Sequence, residues 1–311
     1  SLGYLNLLAH KNGIKSYLIH MNERQKGLFI CFWLYLIAFI VAIYSANQII
    51  GAHQWVVVSF AHFVATCVVY IGSFIYKNSS LYDPFWSFVP APIAVYIAFW
   101  PESGVLDYEK ILLVLIPVIF WSFRLNLNWL RKWPGLIEED FRYVKLKKGS
   151  KLWINFVDFF GIHMFPTFQV NLSLLPIYYI LSKDTGDVSW LLYCASIFTI
   201  LAVSLETIAD RQMREFASIP SNHRATMRTG FWKFSRHPNY LGEVSFWLGL
   251  FLMALTAESY PIWLFICPLS MYLMFALVTC QMMDKRSLER RPDYAEYMQK
   301  TSQLFLWPPA K

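Results

Sequence analysis

The sequence predicts an all-α, polytopic membrane protein, a bundle of about seven to eight transmembrane helices enclosing a cavity open to one basic face. Three observations carry that prediction. Of the 311 residues, 57% are hydrophobic and only 15% are charged, whereas a soluble domain carries roughly 25% charged residues. Apolar stretches near the ~20 residues that a bilayer core demands recur along the whole chain. The cations segregate onto alternate connections between those stretches.

Taken in order, residues 1–26 form a basic N-terminal segment with Lys11, Lys15, Arg24 and Lys26 against one acid, Glu23. They read as an interfacial amphipathic helix or as a lead-in to the first span. The start at Ser1 rather than Met is compatible with a removed presequence. Residues 27–311 then read as a single membrane domain. Its candidate spans are 27–46, 55–75, 84–100, 108–129, 153–181, 188–209, 238–257 and 260–281. The third is short and proline-rich, with Pro84, Pro90 and Pro92. The fifth is long and carries Pro166 and Pro176, so it is expected to be kinked, broken or two half-helices.

If all eight stretches cross, and Arg124 at a span end counts with the basic side, 25 of the 27 Lys and Arg share one face. Only Lys110 and Lys183 lie opposite. By the positive-inside rule the basic face is cytoplasmic, or matrix-side in a mitochondrion. The endoplasmic reticulum, the mitochondrial inner membrane and a bacterial inner membrane all satisfy it. Topology alone accounts for the net charge of +7, so no nucleic-acid partner is expected.

Other chemistries find little support. The five cysteines, Cys31, Cys67, Cys194, Cys267 and Cys280, sit in or at the end of apolar spans without metal-ligand spacing, and packing is their expected role. No metal site is expected. The sequence contains neither a Walker loop nor G-x-G-x-x-G.

The placement of polar residues within the spans is more informative. In this topology Asp83, Arg124, Asn126, Asn128, Asp158, Glu206, Asp210, Asn239, Tyr240 and Glu243 converge on one depth beneath the basic loops. Charged groups at such depth usually face a bundle interior, paired or wet. Glu206, Asp210 and Arg214 share a helix face, which reads equally as a helix-terminal salt bridge or as ligand contact. The stripe Arg286, Glu289, Arg290, Asp293 and Tyr294 reads first as a solvated tail helix. His62 and His163 are expected to be satisfied polar contacts inside the bundle. The segment Arg236–Glu243 stands apart. Proline suits a first helical turn, that turn with Arg236 and His237 suits an anion, and Glu243 is a carboxylate inside a membrane helix.

That segment also carries a resemblance. Thr229-Gly230-Phe231-Trp232 followed by Ser235-Arg236-His237-Pro238-Asn239-Tyr240-Leu241-Gly242-Glu243 resembles the C-terminal signature of the steroid 5-alpha-reductase-like membrane family. The wider superfamily takes in the sterol C14 and delta-7 reductases and the isoprenylcysteine carboxyl methyltransferases. Supporting segments are Asp83-Pro84-Phe85-Trp86, Arg124 with Asn128-Trp129, Glu139-Asp140-Phe141-Arg142-Tyr143, Glu206-Thr207 with Asp210 and Gln212, and Arg291-Pro292-Asp293-Tyr294 with Tyr297 and Trp307-Pro308-Pro309. Together they cover about 80–309.

The resemblance implies a helical fold around a cavity in which NADPH, entering from the cytosolic side, reduces an activated C=C of a lipid or steroid-like enone. By position it implies that Arg124, Asn128, Asp210, Arg214, Arg236, His237, Asn239, Tyr240 and Glu243 line the cofactor, with Lys285 and Tyr294 closing over it. An enone oxygen needs a donor as it gains charge, and Tyr240 and Asp83 are the candidates, with Glu243 as a third catalytic group. One departure is Trp121, three residues before Arg124, where the steroid reductases carry a substrate-contacting tyrosine. An indole has no proton to lend an enolate, so the substrate stays open. Expected partners are membrane lipids, a hydrophobic lipid-like substrate and other membrane subunits. Two further readings follow from the same segments: a non-catalytic accessory subunit of a larger, for instance mitochondrial respiratory, membrane complex, and a methyltransferase using S-adenosylmethionine.

Overall fold

The computed structural model describes residues 21–310, so most of the basic N-terminal segment lies outside the described residues. The structure is 76% helical, without strands among the described residues, an all-α polytopic membrane bundle. Its helices are α1 (Glu23–Asn47), α2 (Gln54–Tyr76), α3 (Asp83–Phe88), α4 (Pro90–Phe99), α5 (Tyr108–Lys132), α6 (Phe141–Leu146), α7 (Lys151–Lys183), α8 (Trp190–Ala217), α9 (Pro238–Ala254), α10 (Ile262–Arg290) and α11 (Tyr294–Lys300).

Six of these, α1, α2, α5, α7, α8 and α10, are long and apolar enough to cross a membrane. Two stretches that read as spans fall short. The third is not one helix but two, α3 of 6 residues and α4 of 10, because Pro90 at the junction removes a backbone donor. The seventh, α9, has 17 residues, the lower limit for a crossing. The fifth is one continuous helix, neither broken nor halved. It absorbs Pro166 and Pro176 through stretches of π-helix at Val157–Met164 and Tyr179–Lys183, the local widening that often re-houses displaced backbone hydrogen bonds.

The chain divides into two compact units. One comprises the described part of Ser1–Val89 with Leu125–Phe168, the other Pro90–Arg124 with Gln169 onward. In the first unit α1 starts on a reciprocal cap: Asn22 Oδ1 accepts from Gln25 N at 2.8 Å and Gln25 Oε1 from Asn22 N at 2.9 Å. Most of α1 stays on the surface, and Phe32, Ile37 and Ile40 are exposed as a lipid-facing side chain should be. Cys31, Leu81 and Trp133 form a core cluster beneath it.

In the same unit, polar side chains of α2 and α7 are paired with one another. His163 contacts Ser73 Oγ at 3.0 Å through Nε2 and Asp158 O at 2.8 Å through Nδ1. Thr167 Oγ1 meets Thr66 Oγ1 at 2.9 Å and Tyr82 Oη at 2.8 Å. Lys147 Nζ donates to Ser79 Oγ at 2.8 Å and to Glu139 Oε1 at 2.5 Å, and Ser79 Oγ donates to Asp158 Oδ1 at 2.5 Å. His163 is thus the satisfied contact its position suggests. His62 is not, since it is buried and neither ring nitrogen has a partner.

The second unit is held at one end by Lys110, at the start of α5. Its Nζ donates to Asp184 Oδ2 at 2.6 Å and to Gly186 O at 2.8 Å, and Asp184 Oδ1 also accepts from Glu258 N at 3.0 Å. Both charged side chains are buried. A buried pair of this kind specifies geometry more surely than it adds net stability. The connections after α7 and α9 are thereby fixed to the head of α5.

Candidate functional site

The site residues of the second unit are set by three helices. Trp121 and Arg124 are three apart on α5, Glu206 and Asp210 four apart on α8, and Asn239, Glu243 and Trp247 four apart on α9, so each set occupies one face. Gly242 lets α9 approach α8. A Cβ there would stand 2.6 Å from Glu206 Cβ and 2.7 Å from Ala202 O, so any side chain pushes the helices apart. The turn that leads into α9 depends on Gly230, whose φ of +59° favours glycine. Beside it Phe231 N donates to Gln212 Oε1 at 3.1 Å.

The contact made by these faces is a cluster of charges. Arg124 forms an ion pair with Glu206 through Nη2 and with Asp210 through Nη1 at 3.0 Å. Asp210 Oδ1 also accepts from Asn239 Nδ2 at 3.3 Å. Glu243 lies deeper, 2% exposed, and its two oxygens accept from the indoles of Trp121 and Trp247 at 2.9 Å each. Those indoles belong to an aromatic group in which Trp121 stacks on Phe246 at 4.6 Å and 2°. Glu206 also neighbours the Glu243 carboxyl. Several groups are left without partners: Arg124 Nε, Glu206 Oε2 and Asn239 Oδ1 are buried and unmatched.

A second cluster surrounds Asp284 of α10. His237 Nε2 lies 2.8 Å from Asp284 Oδ1, Arg236 Nη1 lies 3.2 Å from Oδ2, and the Tyr294 hydroxyl donates to Oδ1 at 2.5 Å. Burial and the neighbouring carboxylate hold the Tyr294 phenol well above its usual range, so it remains a donor. Arg236 Nε is buried and unmatched. The C-terminal tail braces this segment: Arg236 N donates to Ser302 O at 2.9 Å, Ser235 Oγ to Leu304 O at 2.8 Å, and Tyr297 Oη to Trp232 O at 2.5 Å.

Most of the sequence-derived site thus assembles in the second unit. Arg124, Asp210, Asn239 and Glu243 lie in the first cluster, and Arg236, His237 and Tyr294 in the second. Tyr240 stacks on His237 at 5.4 Å and 15°. Arg214 is half-buried one turn beyond Asp210, and the cation paired with both Glu206 and Asp210 is Arg124. Lys285 is exposed, and the acid beside it, Asp284, is the group that joins the cluster. Sequence reasoning missed Asp284 because it lies against the charged stripe that follows the last span. Its only local signal is a single acid on the last apolar turn. By sequence Trp121 stands out only as a departure from tyrosine, whereas in the fold it donates to Glu243.

Asp83 and Asn128 belong to the first unit. Asp83 Oδ1 accepts from the Tyr143 hydroxyl at 2.5 Å, with Arg142 Nη2 at 3.9 Å. Burial dominates there and raises the Asp83 carboxyl to about 6, with Arg142 and Tyr143 opposing it.

Comparison with known proteins places the chain in a family. Residues 69–301 match the family described as "Protein of unknown function (DUF1295)". An uncharacterized protein of Schizosaccharomyces pombe is 25% identical over 252 residues, covering 74% of this chain and 73% of its own length. No solved structure matches.

Proposed function

We propose that this chain, which belongs to the DUF1295 family, is an NADPH-dependent membrane reductase acting on an activated C=C of a lipid or steroid-like enone. That family includes steroid 5-alpha-reductase-like proteins, in keeping with the motif at Arg236–Glu243. The observation that carries the reading is the set of unmatched buried atoms. Two are guanidinium donors, Arg124 Nε and Arg236 Nε, and two are acceptors, Glu206 Oε2 and Asn239 Oδ1. Unmatched buried polar groups are rare and each is costly. A ligand that brings both anionic acceptors and amide or hydroxyl donors would satisfy all four. NADPH has that composition.

In this reading Arg236, with Arg214 and Arg124, would hold phosphate oxygens. Asn239, Asp210 and Glu206 would take amide or ribose groups. NADPH supplies a hydride when bound. The chain must then polarise the enone oxygen, and Tyr240, held flat against His237, is the proposed donor. Glu243 has both oxygens taken by indoles, so its proposed part is to fix Trp121 rather than to exchange protons. The basic loops would face the cytoplasm or the mitochondrial matrix.

The test is titration of the purified chain in lipid nanodiscs with NADPH, read by tryptophan fluorescence, since Trp121, Trp232 and Trp247 all adjoin the clusters. Saturable quenching is expected, lost in Arg236→Gln. Tight binding of S-adenosylhomocysteine in place of NADPH would instead indicate a methyltransferase.

A second reading draws on a different observation. Arg124 is paired with Glu206 and Asp210, and Arg236 and His237 are paired with Asp284, so these three cations expected to meet an anion already have an acid. Such internal neutralisation suits an accessory subunit that keeps the fold. Isolation of the chain only as a stoichiometric component of a larger membrane assembly, without NADPH binding, would favour it.

A further inference from the structure

The connection between α5 and α7 carries more positive charge than the fold neutralises. Both helices are long and apolar enough to cross a membrane, which puts the connection on one membrane face. Residues 131–151 hold seven cations against three acids. Two of those acids are already matched. Lys147 Nζ donates to Glu139 Oε1, and Arg142 donates to Asp140 through Nε at 2.9 Å and Nη2 at 3.1 Å. Arg131, Lys132, Lys148 and Lys151 are exposed and form no ion pair among the described residues. Glu138 is the remaining acid of the stretch.

The turn before α3 fixes this connection in place. Asn78 Nδ2 donates to Leu136 O and to Glu138 O at 3.2 Å each, and Ser79 N donates to Glu139 Oε1 at 2.7 Å. Gly149, with φ of +128°, makes the turn into α7, and Ser150 Oγ caps that helix by accepting from Trp153 N at 3.3 Å. The first turns of α7 then present an apolar ridge. Leu152, Phe156 and Phe160 recur every four residues on one face and are 85%, 52% and 51% exposed. Trp153 stacks on Phe156 at 5.6 Å and 20°. On a helix that crosses a membrane such a ridge meets acyl chains, with the tryptophan near headgroup level. Lys148 and Lys151, directly before it in the chain, therefore stand at the depth of the lipid phosphates.

We infer that this basic rim binds acidic phospholipids, its four unmatched cations holding headgroup phosphates while Leu152, Trp153 and Phe156 pack on the acyl chains. A zwitterionic headgroup brings its own cation for each phosphate and leaves the excess charge of the rim uncompensated. A headgroup of net negative charge neutralises it, and each Lys or Arg near such a surface adds to the attraction. A soluble acidic partner would reach the lysines but not the ridge, which continues into the lipid-facing side of α7. The rim lies apart from the residues assigned to NADPH and does not rest on the reductase reading.

Spin-labelled phosphatidylglycerol and phosphatidylcholine test this on the full chain in phosphatidylcholine vesicles, where the motionally restricted fraction of each lipid reports its relative affinity. The parent chain should prefer phosphatidylglycerol. That preference should fall about tenfold in Lys132→Gln/Lys148→Gln/Lys151→Gln and weaken at high salt. It should stay within about threefold of the parent in Arg224→Gln/Lys233→Gln/Arg290→Gln, which removes the same charge from exposed positions elsewhere on the chain. Should the first variant fail to fold, labelling of the unmodified chain decides. Phosphatidylglycerol with a photoreactive headgroup should label peptides containing Lys148 or Trp153, and unlabelled phosphatidylglycerol should compete where phosphatidylcholine does not. No preference in the parent chain, equal loss in the two variants, or equal competition by the two lipids would overturn the assignment.

Discussion

Two buried polar regions of this protein solve the same problem with different chemistry. In the second unit, Arg124, Glu206, Asp210, Glu243, Arg236, His237 and Asp284 are ionisable groups, matched largely as ion pairs. In the first unit, the stripe of Ser73, His163, Thr66, Thr167 and Tyr82 consists of hydroxyls and imidazole, matched as hydrogen bonds. Each leaves atoms over. The charged region leaves guanidinium nitrogens and carboxylate or amide oxygens, and the neutral stripe leaves one imidazole. What is left over matches the region's own chemistry.

Breaking the charged region is expected to have the largest effect. Asp284→Ala leaves Arg236 and His237 buried against no acid, a loss of about 3–5 kcal/mol, read as a fall in the denaturant midpoint of the chain in detergent. Conversion of that segment to an apolar one is not equivalent, since the tail residues Ser302 and Leu304 still dock on it. The next effect tests packing rather than charge. Gly242→Ala places a methyl group against Glu206 Cβ and Ala202 O, and overpacking of this kind costs about 1–3 kcal/mol. It should also shift the near-ultraviolet circular dichroism of Trp121 and Trp247, which depends on where α9 holds Glu243.

In the neutral stripe the corresponding change is smaller. Ser73→Ala removes the Nε2 partner of His163 and leaves one buried imidazole nitrogen unmet, about 1–2 kcal/mol. A loss as large as that of Asp284→Ala would erase the distinction between the regions.

The smallest effect is a pH slope. Asp83 has its folded carboxyl raised by burial to about 6 from the ordinary 3.8. A raised acid binds its proton more firmly in the folded state, so its contribution is complete below about pH 4 and disappears as pH rises through about 6. Asp83→Asn should remove that slope from the pH dependence of the unfolding midpoint, and an unchanged slope would assign it elsewhere.

The fold was legible where hydrophobic length decides, at α1, α2, α5, α8 and α10. It was less so where proline and brevity compete with hydropathy, as at Pro90, which divides one apparent span into α3 and α4. Within the site, the faces carrying Glu206 and Asp210, or Asn239 and Glu243, follow from helical spacing. Their partners do not. Trp121 meets Glu243 across 122 residues and His237 meets Asp284 across 47, and no local pattern encodes a contact that only helix packing creates. His62 was misjudged for the same reason. Periodicity places it on an interior face, but whether a partner waits there depends on Phe85 and Phe63.

The central claim is that the charged region binds NADPH, and its most direct measurement is thermal unfolding of the chain in nanodiscs against NADPH concentration. A ligand at a hundred times its dissociation constant stabilises the folded state by about 2.7 kcal/mol. The melting temperature should therefore rise with NADPH in the parent chain and stay flat in a folded Arg236→Gln variant. A parent chain whose melting temperature does not move at millimolar NADPH, or an Arg236→Gln variant that responds equally, would contradict it.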